Sequence, residues 1–74
     1  MKKTILGLNR LENMVVNYRP SNNEIEYQFA AVIEVTEEKK IQIAIQILKN
    51  LVIENKVSIN EIKYQFEAIR KEIA

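Results

Sequence analysis

The sequence predicts an all-α protein: two tandem helical hairpins packed as a small four-helix bundle. Three observations carry this. Asn23-Glu24-Ile25-Glu26-Tyr27-Gln28-Phe29-Ala30-Ala31 recurs as Asn60-Glu61-Ile62-Lys63-Tyr64-Gln65-Phe66-Glu67-Ala68, an offset of 37 in a chain of 74 residues. Sliding one half over the other aligns Lys2-Lys3 with Lys39-Lys40, Leu11 with Leu48, Asn13 with Asn50, Val15 with Val52 and Ser21 with Ser58; thirteen of 37 positions are identical, too many for two unrelated segments. Both copies carry Ser-x-x-Glu at the same place, as Ser21 to Glu24 and Ser58 to Glu61. In such a capping box the hydroxyl accepts from a free amide at the helix start and the Glu reaches back to the Ser amide. Finally, apolar residues recur at helical spacing through most of the chain. The chain reads as one domain, 1–74, built from repeats 1–37 and 38–74.

The first helix is expected over 4–18, with Leu8, Leu11, Val15 and Tyr18 on one face and Met14 beside it. Gly7 and Asn9 weaken its first turn. Pro20 forbids continuation and pushes Arg19 toward extended conformations. The second helix, 22–35, is ambiguous when read alone. Ile25, Tyr27, Phe29, Ala31, Ile33 and Val35 alternate as in a strand, while Ile25, Phe29, Val32 and Thr36 form a helical stripe. The repeat decides for helix, because the same motif lies in a clear helical pattern in the second copy. The third helix, 38–55, carries Ile41, Ala44, Ile45, Leu48, Leu51 and Val52 as one stripe, with Ile43 and Ile47 just off it. Its apolar arc is wide. Thr36 with Glu37 and Glu38 is the expected cap, although no strong breaker divides 22 from 55 and one bent helix also fits. The fourth, 59–73, places Ile59, Ile62, Phe66, Ile69 and Ile73 on one face and Glu61, Lys63, Glu67, Arg70 and Lys71 on the other.

Composition removes several function classes. There is no Cys and no His, so neither a disulfide nor a zinc site is expected. A chain this short buries only about 60 % of its unfolded surface, which leaves association as the available reinforcement. The net charge of +1 favours neither a nucleic-acid patch nor an acidic tail. No apolar run approaches the roughly 18 residues of a membrane span, and the apolar stretch after Lys3 is too short for a secretory signal. The expected compartment is the cytoplasm. Ile, Lys and Asn supply 28 of the 74 residues, and their AT-rich codons suit a low-GC bacterium or its mobile elements. No acidic residue neighbours a His, Cys or Gly-rich loop, so no acid–base or nucleophilic arrangement assembles and no cofactor is implied. An enzyme is not expected.

Candidate contacts remain. Phe29 and Phe66 sit in the core stripes. Tyr27 and Tyr64 lie off them, which suits anchors for a protein partner; Lys63 and Glu67 flank Tyr64 and complete the candidate surface. Ile43 and Ile47 are the candidates for self-association, a homodimer being expected from the wide arc of the third helix. Lys2-Lys3 and Lys39-Lys40 read as solvated helix ends rather than phosphate contacts. The span 48–66 also reads as helix-turn-helix, with Val57-Ser58 followed by Ile62 as in many bacterial regulators. Gln65, at a usually apolar position, and the acidic Glu61 and Glu67 count against that reading.

The stretch Ile47-Leu48-Lys49-Asn50-Leu51-Val52-Ile53-Glu54-Asn55-Lys56-Val57-Ser58-Ile59-Asn60-Glu61-Ile62 resembles the SHOCT-type hairpin, in which a Leu-rich helix leads through a Gly-x-Ile-Thr/Ser turn to a Glu-led second helix. Val57-Ser58 and Glu61 match. Asn55 replaces the Gly, and Ile62 stands where Phe or Tyr is usual. The resemblance covers about 30 residues, and here the module is a degenerate tandem repeat. It implies a short interaction or oligomerisation module, often found in small proteins of mobile elements. The expected function is therefore to bind another protein as a regulator, adaptor or inhibitor. A small DNA-binding regulator using 59–73 and a structural oligomerisation module are the alternatives.

Overall fold

A computed structural model describes residues 1–74. Four helices account for most of the chain: α1 (Lys2–Asn17), α2 (Asn22–Glu34), α3 (Lys39–Glu54) and α4 (Ile59–Ile73). There are no strands, so the alternation at 25–35 is not the operative period. The chain breaks between α2 and α3, which excludes a single bent helix over 22–55. Each helix packs against two neighbours, α1 on α2, α2 on α3, α3 on α4 and α4 on α1. The helices thus form a square bundle in which α1 and α3 are diagonal, as are α2 and α4.

The core obeys the repeat. Leu8, Leu11, Val15, Ile25, Phe29 and Val32 are buried, and so are Ile45, Leu48, Val52, Ile62, Phe66 and Ile69, each 37 positions later. The two hairpins are therefore related by a pseudo-twofold axis through the core. Phe29 and Phe66 meet there, with ring centroids 6.3 Å apart and planes tilted by 36°. Truncating either ring to Ala costs about 3–5 kcal/mol, a large share of the ~5–15 kcal/mol that holds a small domain.

One core pair breaks the apolar symmetry. Ile41 and Ile73 in the second copy correspond to Thr4 and Thr36 in the first. Both threonines are buried, with Oγ1 atoms 3.0 Å apart. Thr36 Oγ1 also donates to the Val32 carbonyl at 2.7 Å. Its hydroxyl is thus turned inward and does not cap α3. The α3 N-cap is Glu38, without a side-chain cap bond, and the Thr36 carbonyl instead accepts from Gln42 Nε2.

The serine caps form only half of a capping box. Ser21 Oγ accepts from the Glu24 amide at 3.3 Å, and Ser58 Oγ from the Glu61 amide at 3.1 Å. The carboxylates turn the other way, accepting from Gln28 and Gln65 one turn onward. A charge–amide bond along the helix has replaced the reach back to the Ser amide.

The turns also depart from expectation. Arg19 has φ 47°, in the left-handed region, and not the extended conformation that a following proline favours. The amides of Tyr18 and Arg19 both donate to the Met14 carbonyl, and this closure of the helix end holds Arg19 there. Tyr18 follows the last helical residue and is exposed, so it is not part of the α1 core stripe. Asn55 takes the left-handed position after α3, with φ 55° and ψ 37°. That is the conformation its side chain tolerates best among non-glycine residues. At Gly7, a Cβ would stand 2.7 Å from a methyl of Val32, so the missing side chain lets α1 approach α2 closely.

Candidate functional site

Under a pseudo-twofold axis, equivalent residues on diagonal helices face opposite ways. Tyr27 precedes Phe29 by two residues, which places it about 160° around α2 from the core ring. Tyr64 stands in the same relation to Phe66 on α4. Both are exposed, 71 % and 67 %. Because α2 and α4 are diagonal, the two tyrosines project from opposite sides of the molecule and do not share one surface.

Lys63 and Glu67 lean away from Tyr64 toward the seam between α4 and α1. There Arg70 Nη1 pairs with Glu12 at 2.7 Å and Nη2 with Glu67 at 3.0 Å. Arg70 Nη1 also donates to Asn9 Oδ1 at 3.2 Å. Lys63 lines the same groove as Glu12 and Arg70. The equivalent seam between α2 and α3 has its charges exchanged. Lys49 takes the place of Glu12, Glu26 that of Lys63, and the two pair at 3.6 Å. Both inter-hairpin seams are thus electrostatically complementary with opposite polarity. Burial alone lowers the Arg70 pKa, but hydrogen bonds to Glu12 and Glu67 outweigh it and leave the pKa raised.

Ile43 and Ile47 lie one turn apart on the outer side of α3 and are exposed, 53 % and 57 %. α3 packs on α4, so these two and Tyr64 flank one side of the bundle. The groove on that side is lined by Lys40, Ala44, Gln65, Ala68, Ile69 and Glu72. Its end is closed by the Lys40–Glu72 pair, Nζ to Oε1 2.6 Å. Hydrogen bonding and attraction to Glu72 raise the Lys40 pKa, and Lys40 lowers that of Glu72. The pair is therefore intact at neutral pH. It is lost in acid as pH falls through the lowered Glu72 pKa, and in base only as Lys40 deprotonates.

The equivalent groove between α1 and α2 is larger, about 480 Å³ against about 320 Å³. Lys3, Gly7, Gln28, Ala31, Val32 and Val35 occupy the matching positions, and Leu6, Arg10, Leu11 and Met14 extend it. Val35 replaces Glu72, so Lys3 has no counterpart to the acid that pairs with Lys40. Leu6 is 58 % exposed and Val35 42 %. Sequence reasoning passed over Leu6, Arg10 and Val35. The signal was present in the alignment, where Leu6 stands under Ile43 and Val35 under Glu72.

No group of three or more acidic side chains converges as metal ligands do. No helix is long and apolar enough to cross a membrane. No family model matches this sequence, and neither a curated protein nor a solved structure does.

Proposed function

We propose that this chain is a non-enzymatic protein-binding module that acts as a regulator, adaptor or inhibitor, and that it engages its target through the α3–α4 side. The observation that supports this most is the solvent exposure of Ile43 and Ile47 on α3 and of Tyr64 on α4, the helix packed against it. Large apolar and aromatic side chains held rigidly on helices, rimmed by polar ones, are what a protein interface uses as anchors. The core is complete without them, so their exposure has no role in holding the fold. A cytoplasmic setting and a mobile-element origin in a low-GC bacterium accord with the composition.

The DNA-binding alternative draws less support. α4 follows α3 through a short turn, as a recognition helix does, but it carries Glu61, Glu67 and Glu72 against Lys63, Arg70 and Lys71. Arg70 is engaged by Glu12 and Glu67. A helix without net positive charge releases few counterions on meeting phosphates.

Ile47→Asp and Tyr64→Ala test the reading. Each is expected to abolish capture of the protein that the wild type retains from a host lysate, with the helical spectrum and unfolding midpoint unchanged. Capture that survives both substitutions refutes the α3–α4 assignment. A specific operator duplex bound at nanomolar concentration in physiological salt favours the DNA reading instead.

A further inference from the structure

Two cations and no acid line the groove between α1 and α2. Lys3 and Arg10 stand on its α1 edge. Both are exposed, and neither makes an ion pair within the chain. The neighbouring acids lie elsewhere. Glu12 is paired with Arg70 in the α1–α4 seam. Glu26 and Glu34 line the α2–α3 groove with Lys49. Glu24 lies one turn beyond Gln28, whose Nε2 donates to its carboxylate at 2.6 Å. Glu37 sits past the other end, in a hollow shared with Lys2 and Lys3, where the two cations outnumber it. The groove itself is therefore cationic.

This charge is a departure from the repeat. In the α3–α4 groove Glu72 neutralises Lys40 at 2.6 Å. In the α1–α2 groove Val35 stands in place of Glu72, and Arg10 in place of Ile47. The remaining lining is mostly apolar. Buried Leu11 and Val32 form the floor, and Leu6, Ala31 and Val35 stand exposed along it.

An occupant that suits this groove is apolar on one side and anionic along one edge. Lys3 and Arg10 are seven residues apart, two turns, which sets them about 10 Å apart along one face of α1. A helix laid along the groove has the same pitch. Carboxylates seven residues apart on its edge meet both cations, and apolar residues three and four apart fill the space between them. We propose that the α1–α2 groove receives an acidic amphipathic helix of a partner protein. A single-headed amphiphile reaches only one of the two cations. Nucleic acid offers phosphates but no apolar face for Leu6 and Val35. The groove lies opposite the α3–α4 side and acts independently of any target held there.

The test uses a synthetic peptide of about 15 residues, stapled because isolated helices of that length are marginal. It carries Leu along one face and two Glu seven residues apart on one edge. Its binding to the full chain is read by fluorescence anisotropy. Wild type is expected to bind in the micromolar range, as a small interface does. Replacing both peptide Glu by Gln, or Arg10→Glu in the protein, is expected to raise the dissociation constant by roughly tenfold. Leu6→Asp abolishes binding, and Ile47→Asp leaves it unchanged. The double variant Lys3→Glu with Arg10→Glu reverses the preference and takes a peptide carrying Lys at both edge positions. Far-UV spectra of all variants are expected to match wild type. Failure of wild type to bind, equal binding of the Gln peptide, or a loss caused by Ile47→Asp and not by Arg10→Glu overturns the proposal. So does a wild type that binds dodecanoate or a DNA duplex and not the peptide.

Discussion

Removing the Thr36 hydroxyl should cost far more than removing the Thr4 hydroxyl, although the two bond each other. The reasoning is a proton count. Each hydroxyl has one hydrogen. Thr36 spends its own on the Val32 carbonyl at 2.7 Å. The 3.0 Å contact between the threonines therefore has Thr4 as donor. In Thr36→Val, Thr4 Oγ1 is left buried without an acceptor, since Thr4 is wholly inaccessible and makes no other side-chain bond. Such an orphan costs about 1–3 kcal/mol. In Thr4→Val, the Thr36 hydroxyl keeps its bond to Val32 and loses only an accepted bond, worth about 0.5–1.5 kcal/mol. An apolar methyl in the buried site offsets part of that, by about 0.8 kcal/mol. The double variant removes both polar groups, restores the apolar character of the equivalent Ile41 and Ile73, and should lie close to wild type. Urea denaturation of the four proteins gives the cycle, with an expected coupling of about 1–2 kcal/mol. Additive losses, or a Thr4→Val loss equal to that of Thr36→Val, refute the assigned donor.

Ser58→Ala and Ser21→Ala should each cost about 1 kcal/mol by thermal or urea unfolding, because the carboxylates of Glu61 and Glu24 make no back-bond that survives the loss. Arg19→Gly should raise stability by about 1 kcal/mol, since a left-handed backbone at φ 47° strains every residue with a Cβ; an unchanged or lower unfolding midpoint contradicts the strain.

The helix starts were legible because a serine cap is local: Ser21 and Ser58 act on amides three residues away, whatever surrounds them. The core stripes were legible because the period of 3.6 and the repeat constrain the same positions twice. Thr36 misled because a threonine before two acids has the signature of a cap, and only tertiary packing brings Thr4 within reach of its hydroxyl. Thr4 itself was invisible as a core residue, being polar at the start of a helix. Tyr18 extended the α1 stripe on paper, but the helix ends one residue earlier. The candidate surface suffered from the same repeat that revealed the fold. Tyr27 and Tyr64 occupy equivalent repeat positions, and a pseudo-twofold axis sends equivalent residues to opposite sides. Ile43 and Ile47 were correctly expected to lie off the core stripe, because their angular position on α3 depends on the helix alone.

The account rests on the two hairpins sharing one core, since both outward sides take their residues from that symmetry. The most direct measurement is a nuclear Overhauser spectrum recorded on protein with both phenylalanines labelled, diluted into an excess of unlabelled chain. Cross-peaks between the Phe29 and Phe66 rings, persisting on dilution, are predicted by their 6.3 Å centroid separation within one chain. Absence of those cross-peaks, or their disappearance on dilution as hairpins exchange between copies, contradicts it.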